Sequence, residues 1–223
     1  MTAGAGARGR REPVTREQVV AAAVELADAE GVDALSIRKL AQRVGLKPMS
    51  LYHHVADKDD LLDGMVDVVF SEIELPPADA DWRTAMRQRA TSARSALARH
   101  HWAIGLMESR TSPGPANLRH HDTLLGILRR AEFSIVAATQ VLSILDSYIY
   151  GFTLQEATLP FGSPDELEQV AEAIVALMPA DEYPNLRQAA TELAASGFDY
   201  AEQFDVGLEL ILDGLGQLRG ADG

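Results

Sequence analysis

Between residues 36 and 58 the chain gathers Arg38, Lys47, Ser50, Tyr52, His53, His54 and Lys58, with Pro48 and Met49 among them. These types suit a nucleic-acid groove. An arginine fork fits the two acceptors of a guanine edge, a methionine meets a thymine methyl, and hydroxyl, imidazole and ammonium groups donate to phosphate oxygens. The histidine pairs 100/101 and 120/121 are a second group with possible chemistry. Adjacent helical residues point about 100° apart, so neither pair forms the i, i+4 chelate of helical metal sites, and with no cysteine nearby no metal or cofactor is expected.

The elements needed to present the first group are legible in SIRKLAQRVGLKPMSLYHHVADK. Ser36 caps a short helix on which Ile37, Leu40, Ala41 and Val44 recur at i, i+3, i+4 and i+7, leaving Arg38, Lys39, Gln42 and Arg43 outward. Gly45 stands where the chain must turn through a left-handed cap, with Leu46 plugging the angle behind it. Pro48 suits the first turn of a second helix reaching about His54, with Leu51 and Val55 inward. A preceding helix over 13–31 has a capping box from Thr15 to Gln18 and an apolar stripe at Val20, Ala23, Val24 and Ala27, closed by Gly31. Three helices then share one small core, a helix-turn-helix arrangement.

The run GVDALSIRKLAQRVGL, followed by Leu51, Tyr52, His54 and Lys58, resembles the DNA-binding domain of the tetracycline repressor family over about residues 14–65. Phe204 to Leu218, FDVGLELILDGLGQL, is similar to the last helix of the branch whose regulatory domain is like that of the tetracycline repressor itself. The resemblance implies base-edge or groove-wall contacts by Arg38, Pro48, Met49, Tyr52 and His53, and phosphate contacts by Ser50, His54 and Lys58, near whose helix start the dipole also attracts anions. Lys47 departs from the pattern, standing where the family often has a capping serine; it belongs to the same DNA-facing group.

Charge is divided along the chain. The net charge is −13, yet residues 1–58 hold nine Lys and Arg against seven Asp and Glu, while residues 59–223 hold eleven against twenty-six. An acidic body repels DNA at long range, so binding is expected to rest on local phosphate contacts and on two heads acting together, weakening as salt rises. The absence of cysteine removes disulfides and thiolate chemistry. No apolar run approaches ~18 residues and MTAGAGARGRR carries no hydrophobic stretch, so the expectation is a cytoplasmic protein without membrane attachment. Gly4, Gly6 and Gly9 match a dinucleotide-loop pattern without the strand it needs, and residues 1–12 read as a flexible basic arm whose Arg8, Arg10 and Arg11 could enter a minor groove.

The sequence therefore predicts an all-α protein: the arm, a helix-turn-helix domain over 13–65, and a larger helical regulatory, ligand-binding and dimerisation domain over 66–223. Body helices are expected at about 58–73, 82–109 with a break near His100, 116–131, 134–157, 165–178, 185–196 and 199–218, separated by proline and glycine runs. The helix from Ser134 is apolar on several faces and the last helix adds Phe204, Leu208, Ile211, Leu212 and Leu215. The family resemblance pairs both with their copies in a homodimer, with Gly207, Gly214 and Gly216 permitting close approach, so that two heads meet an inverted-repeat double-stranded operator. It further implies a small-molecule effector that enters the body, shifts the helix beginning near Lys58 and releases the DNA. Residues on the enclosing helices are His101, Trp102, Met107, Arg110, Asn117, His121, Tyr148, Phe152 and Gln155. The tetracycline repressor holds its drug with magnesium through a histidine before a threonine-arginine; here Leu106 precedes Ser109-Arg110, and Gln155 stands near the place of a partner glutamate. Other readings are a DNA-binding regulator, activator or partner-controlled, with no inducer, and a helical enzyme using histidines with Glu108 and Glu156; no catalytic spacing supports the last.

Overall fold

Thr15 opens the first helix as its residues dictate: its hydroxyl accepts from the Gln18 N–H while the Gln18 side chain returns to the Thr15 N–H, closing the capping box. The computed structural model describes residues 13–179 and 182–220; the N-terminal arm lies outside them. Helix α1 (Arg16–Glu30) is followed by α2 (Ile37–Val44), α3 (Pro48–Leu51) and α4 (Lys58–Glu72). The body continues with α5 (Trp82–Arg99), α6 (Ile104–Met107), α7 (Pro115–Arg130), α8 (Ile135–Thr158), α9 (Pro164–Leu177), α10 (Pro184–Ala195) and α11 (Gln203–Leu215). Among the described residues there is no strand.

Most boundaries fall within a few residues of the sequence reading, and the differences have local causes. The break expected near His100 within 82–109 is present, with α5 ending at Arg99 and the chain resuming as a 3-10 turn at His101–Ala103 before α6. The second helix of the helix-turn-helix, expected to reach about His54, is regular only to Leu51, with turns carrying the chain through His54. Lys47 offers no acceptor to cap its start. The last helix begins at Gln203 rather than 199.

Two hydrophobic cores divide the chain. Val20, Ala23, Val24, Leu40, Leu51, Val55, Leu61, Leu62 and Met65 fill the first, and Val66, Val69, Phe70, Met86, Leu97, Leu124, Phe133, Leu145 and Phe204 belong to the second. The change falls between Met65 and Val66, inside α4, so one helix is built into both cores. Trp102 and Leu106 pack against both. In the body, α5 presents Ala85, Ala90, Ala93 and Ala96, all buried, and packs on α8. Helix α8 is long and apolar enough to cross a membrane by length and composition, but its buried side packs on α5, α7 and α11 as the central helix of the body. Arg83 and Arg87 both grip Glu209 and tie α5 to α11. Helices α9 and α10 pack chiefly on one another.

Candidate nucleic-acid interface and the body cavity

The head has the geometry that its punctuation demands. The Ser36 hydroxyl accepts from the Lys39 N–H, and Gly45 takes φ 72° and ψ 28°, a left-handed conformation costly for any residue with a Cβ. Leu40, Ala41, Leu51 and Val55 are buried, which turns the opposite faces of α2 and α3 outward. Met49 is 75% exposed and Tyr52 46%, large apolar surfaces left uncovered among the described residues. Arg38, Lys47, Pro48, His53 and Lys58 are exposed beside them, with Ser50 and His54 half-buried. Lys39 and Arg43 are engaged by Glu30 and Glu25 at 2.6 Å each. Arg38, Lys47 and Lys58 enter no ion pair among the described residues, so their charges face outward uncompensated. One expectation changes. The start of α4 is already occupied, because Asp57 accepts from the Asp60 N–H and the Asp60 carboxylate accepts from the Ala56 N–H, which holds Asp60 below the usual carboxylate range. The helix dipole there is spent on protein carboxylates, leaving the Lys58 ammonium as the anion-binding group.

Helix α4 also carries the attachment of head to body. Asp59, Asp63 and Asp67 recur at i, i+4 and i+8 and form one acidic row. Arg110 donates through Nε to Asp63 at 2.5 Å and through Nη2 to Asp59 at 3.0 Å. Asp67 accepts the Asn117 N–H at 2.9 Å and so caps α7 from a neighbouring helix, since Gly114 at its N-cap has no side chain to do so. A Cβ on Gly114 would overlap that carboxylate. Nearby, Asp28 of α1 accepts the Trp102 Nε1–H at 2.7 Å and lies 2.7 Å from Nδ1 of buried His100, whose Nε2 is 3.1 Å from Glu72. Arg110, Asn117 and Trp102 thus sit in the junction, His101 is exposed beside it, and Met107 is in the body core.

The remaining sequence candidates separate into two places. His121 lines an open cavity of about 290 Å³ between α7 and α8, with Glu108, Leu125, Leu142, Asp146 and Tyr150. Tyr148, Phe152 and Gln155 lie elsewhere, against α11 and the segment before it. The Tyr148 hydroxyl donates to the Phe204 carbonyl at 2.9 Å, Phe152 stacks on Tyr200, and Gln155 accepts from the Tyr200 hydroxyl at 2.8 Å. Glu156 is held by Arg94, whose guanidinium also covers the Phe152 and Phe204 rings. Gly207 makes a close approach within the chain, to Tyr148, whose hydroxyl a Cβ would overlap.

Beneath the cavity is a group that sequence reasoning passed over. Arg89 is 1% exposed and pairs with Asp146, and its Nε–H donates to Nε2 of buried His120 at 3.2 Å. Burial, then the Arg89 charge, pushes His120 down to about 3, so the ring is neutral. Burial, with Asp146 adding to it, pushes the Tyr150 phenol well up. The available signal was an aspartate, Asp146, set among Leu142, Leu145 and Ile149 on the apolar side of α8, with Tyr150 four residues on.

Comparison with known proteins agrees with both halves of the chain. Residues 19–65 match the family described as bacterial regulatory proteins, tetR family, and residues 75–219 match the tetracyclin repressor-like, C-terminal domain. The chain is 31% identical over 217 residues to the HTH-type transcriptional repressor DrrR1 of Streptomyces coeruleorubidus, covering 93% of this chain and 79% of that protein. It is 32% identical over 204 residues to the tetracycline repressor protein class A from transposon 1721 of Escherichia coli, covering 90% of each. The crystal structure of the TetR family protein ActR of Streptomyces coelicolor in complex with actinorhodin superposes with a TM-score of 0.76 at 28% identity, over 93% of this chain and 99% of that one. With the reading head, the two cores and both family matches in agreement, the chain belongs to the tetracycline repressor family of bacterial transcriptional regulators.

Proposed function

We propose that this chain is a cytoplasmic homodimeric repressor that binds an inverted-repeat operator and releases it when a small molecule occupies the cavity between α7 and α8. The observation that carries the reading is the outward face of α2 and α3, where Arg38, Lys47, Met49, Tyr52 and His53 stand free over a packed core. Arg38 donates to a guanine edge, Met49 meets a thymine methyl, Pro48, Tyr52 and His53 fill the groove wall, and Ser50, His54 and Lys58 hold phosphates. Repression is inferred from DrrR1 and the class A protein, both named repressors. Release by a small molecule is inferred from the ActR complex with actinorhodin.

His121 contacts the effector directly in this reading, while Arg110 and Asn117 transmit its arrival. A ligand that moves α7 pulls on Asp67 and, through the loop carrying Arg110, on Asp63 and on Asp59, the residue next to Lys58. Arg110→Gln is therefore expected to leave operator affinity within a few-fold of the parent while the effector-induced loss of affinity shrinks at least tenfold, within the usual ~5–150-fold range of allosteric coupling. The measurement is operator anisotropy with and without the first compound that releases the parent protein; undiminished release would remove Arg110 from the coupling.

The function itself is tested by selection from a random duplex library at several salt concentrations. An inverted repeat with half-sites about 34 Å apart should be enriched, weaken with salt, and disappear in a Tyr52→Ala, Lys58→Ala double variant. Enrichment of no sequence at any salt would overturn the reading.

A further inference from the structure

The hydrogen bonds already made on the wall of the cavity between α7 and α8 leave acceptors, and few donors, for anything that enters it. Thr139 and Ser147 give their hydroxyl protons to the Ile135 and Ser143 carbonyls of their own helix, at 2.9 Å each, and so offer only lone pairs. His121 Nδ1 lies 3.1 Å from the Asn117 carbonyl and carries the proton which that contact requires, leaving Nε2 as the acceptor of the neutral ring. The Glu108 carboxylate lies beside the Tyr150 hydroxyl and accepts its O–H, so the phenol has no second proton to offer. Ser143 is the one wall hydroxyl whose proton is not placed in this way among the described residues. Charge follows the same pattern. Glu108 enters no ion pair among the described residues, and Arg110, two residues on, is taken by Asp59 and Asp63. Asp146 lines the cavity and its partner Arg89 does not, so the pair is close to neutral overall and turns its negative end to the wall.

We propose that the cavity takes an organic cation, a protonated amine on an apolar frame, whose N–H groups donate to Glu108 and the neighbouring wall acceptors while the frame lies on Leu125 and Leu142. This inference rests on the reading of the cavity as the effector site and names the class of molecule that it takes. An ammonium group has donors and no acceptor, which complements a wall made of acceptors, and it brings the countercharge that Glu108 lacks. An anion meets Glu108 and the negative end of the Arg89–Asp146 pair, with only Ser143 to donate to it. A neutral alcohol can donate one hydrogen bond but leaves the carboxylate charge unmatched. The surroundings act in the same direction, because residues 59–223 hold eleven Lys and Arg against twenty-six Asp and Glu, and the field of such a body draws cations towards it.

The test is calorimetric titration of the full chain at neutral pH with three probes of one planar frame: 2-naphthylmethylamine, 2-naphthylmethanol and 2-naphthoate. The amine is expected to bind at least tenfold more tightly than either of the others, since a charge-assisted hydrogen bond outweighs a neutral one. Glu108→Gln keeps an acceptor for Tyr150 and removes the charge; it should weaken the amine about tenfold and leave alcohol binding and the near-UV circular dichroism as in the parent. Asp122→Asn removes an exposed charge of α7 outside the cavity lining and should leave the amine bound as in the parent. Equal binding of amine and alcohol, tighter binding of the carboxylate, no saturable binding of the amine, or equal losses in the two variants would each overturn the proposal. Operator anisotropy read in parallel separates the two claims. Amine-selective binding that leaves the operator bound would keep the ligand class and defeat the effector reading of the cavity.

Discussion

Val206→Glu with Leu210→Glu is expected to turn the protein into a folded monomer whose operator affinity falls by about 10²–10⁴, the usual gain from tethering two binding modules. Val206 is 56% and Leu210 69% exposed, one turn apart on α11. On the adjoining α8, Val136, Ile144 and Leu154 are exposed along a helix whose other side is buried in the body core. Apolar residues left outward on two packed helices constitute a face that wants a partner. In the isolated chain the two new carboxylates stay in water, so the fold should lose little, within roughly 0.5 kcal/mol. In a dimer they would be buried without counterions, which the interface cannot tolerate. Sedimentation gives the mass, thermal unfolding reports the fold, and anisotropy gives affinity for the full and half operator. A variant that remains dimeric with unchanged operator binding would place the interface elsewhere; one that is monomeric yet binds as tightly as the parent would make two heads unnecessary.

The head was readable in the sequence because each of its features is local. Ser36, Gly45 and Pro48 each specify a backbone event within four residues of themselves, and the periodicity of Ile37, Leu40, Ala41 and Val44 names the buried face of an eight-residue helix. Helix boundaries in the body were legible for the same reason, since the proline and glycine runs at 111–116 and 159–164 separate one helix from the next. What escaped notice joins residues far apart in the chain. Arg89 reads as one more cation on a helix rich in arginine and alanine, and only the packing of α5 on α8 shows that it faces Asp146. The acidic row on α4 reads as a solvated face until Arg110 and the start of α7 are laid against it. Tyr148 and Phe152 have the spacing of pocket residues, but spacing along one helix does not say which neighbour covers it, and α11 does.

Asp146→Leu is expected to destabilise the protein by about 3–5 kcal/mol, because it strands a buried charge. Arg89 is 1% exposed, and its only other side-chain hydrogen-bond partner among the described residues is His120, which is neutral and accepts from it. A lysine in that position could escape by losing its proton; a guanidinium cannot at any accessible pH, so the cost has no relief. The charged pair itself is a weak source of stability, since two ions have been taken from water to form it. Arg89→Met combined with Asp146→Leu should accordingly recover most of the loss, ending within about 1 kcal/mol of the parent or above it. Urea unfolding of the four proteins closes the cycle, with a shifted midpoint at constant slope marking a change in stability alone. A double variant no more stable than Asp146→Leu would mean that packing between α5 and α8, and not the unpaired charge, carries the effect.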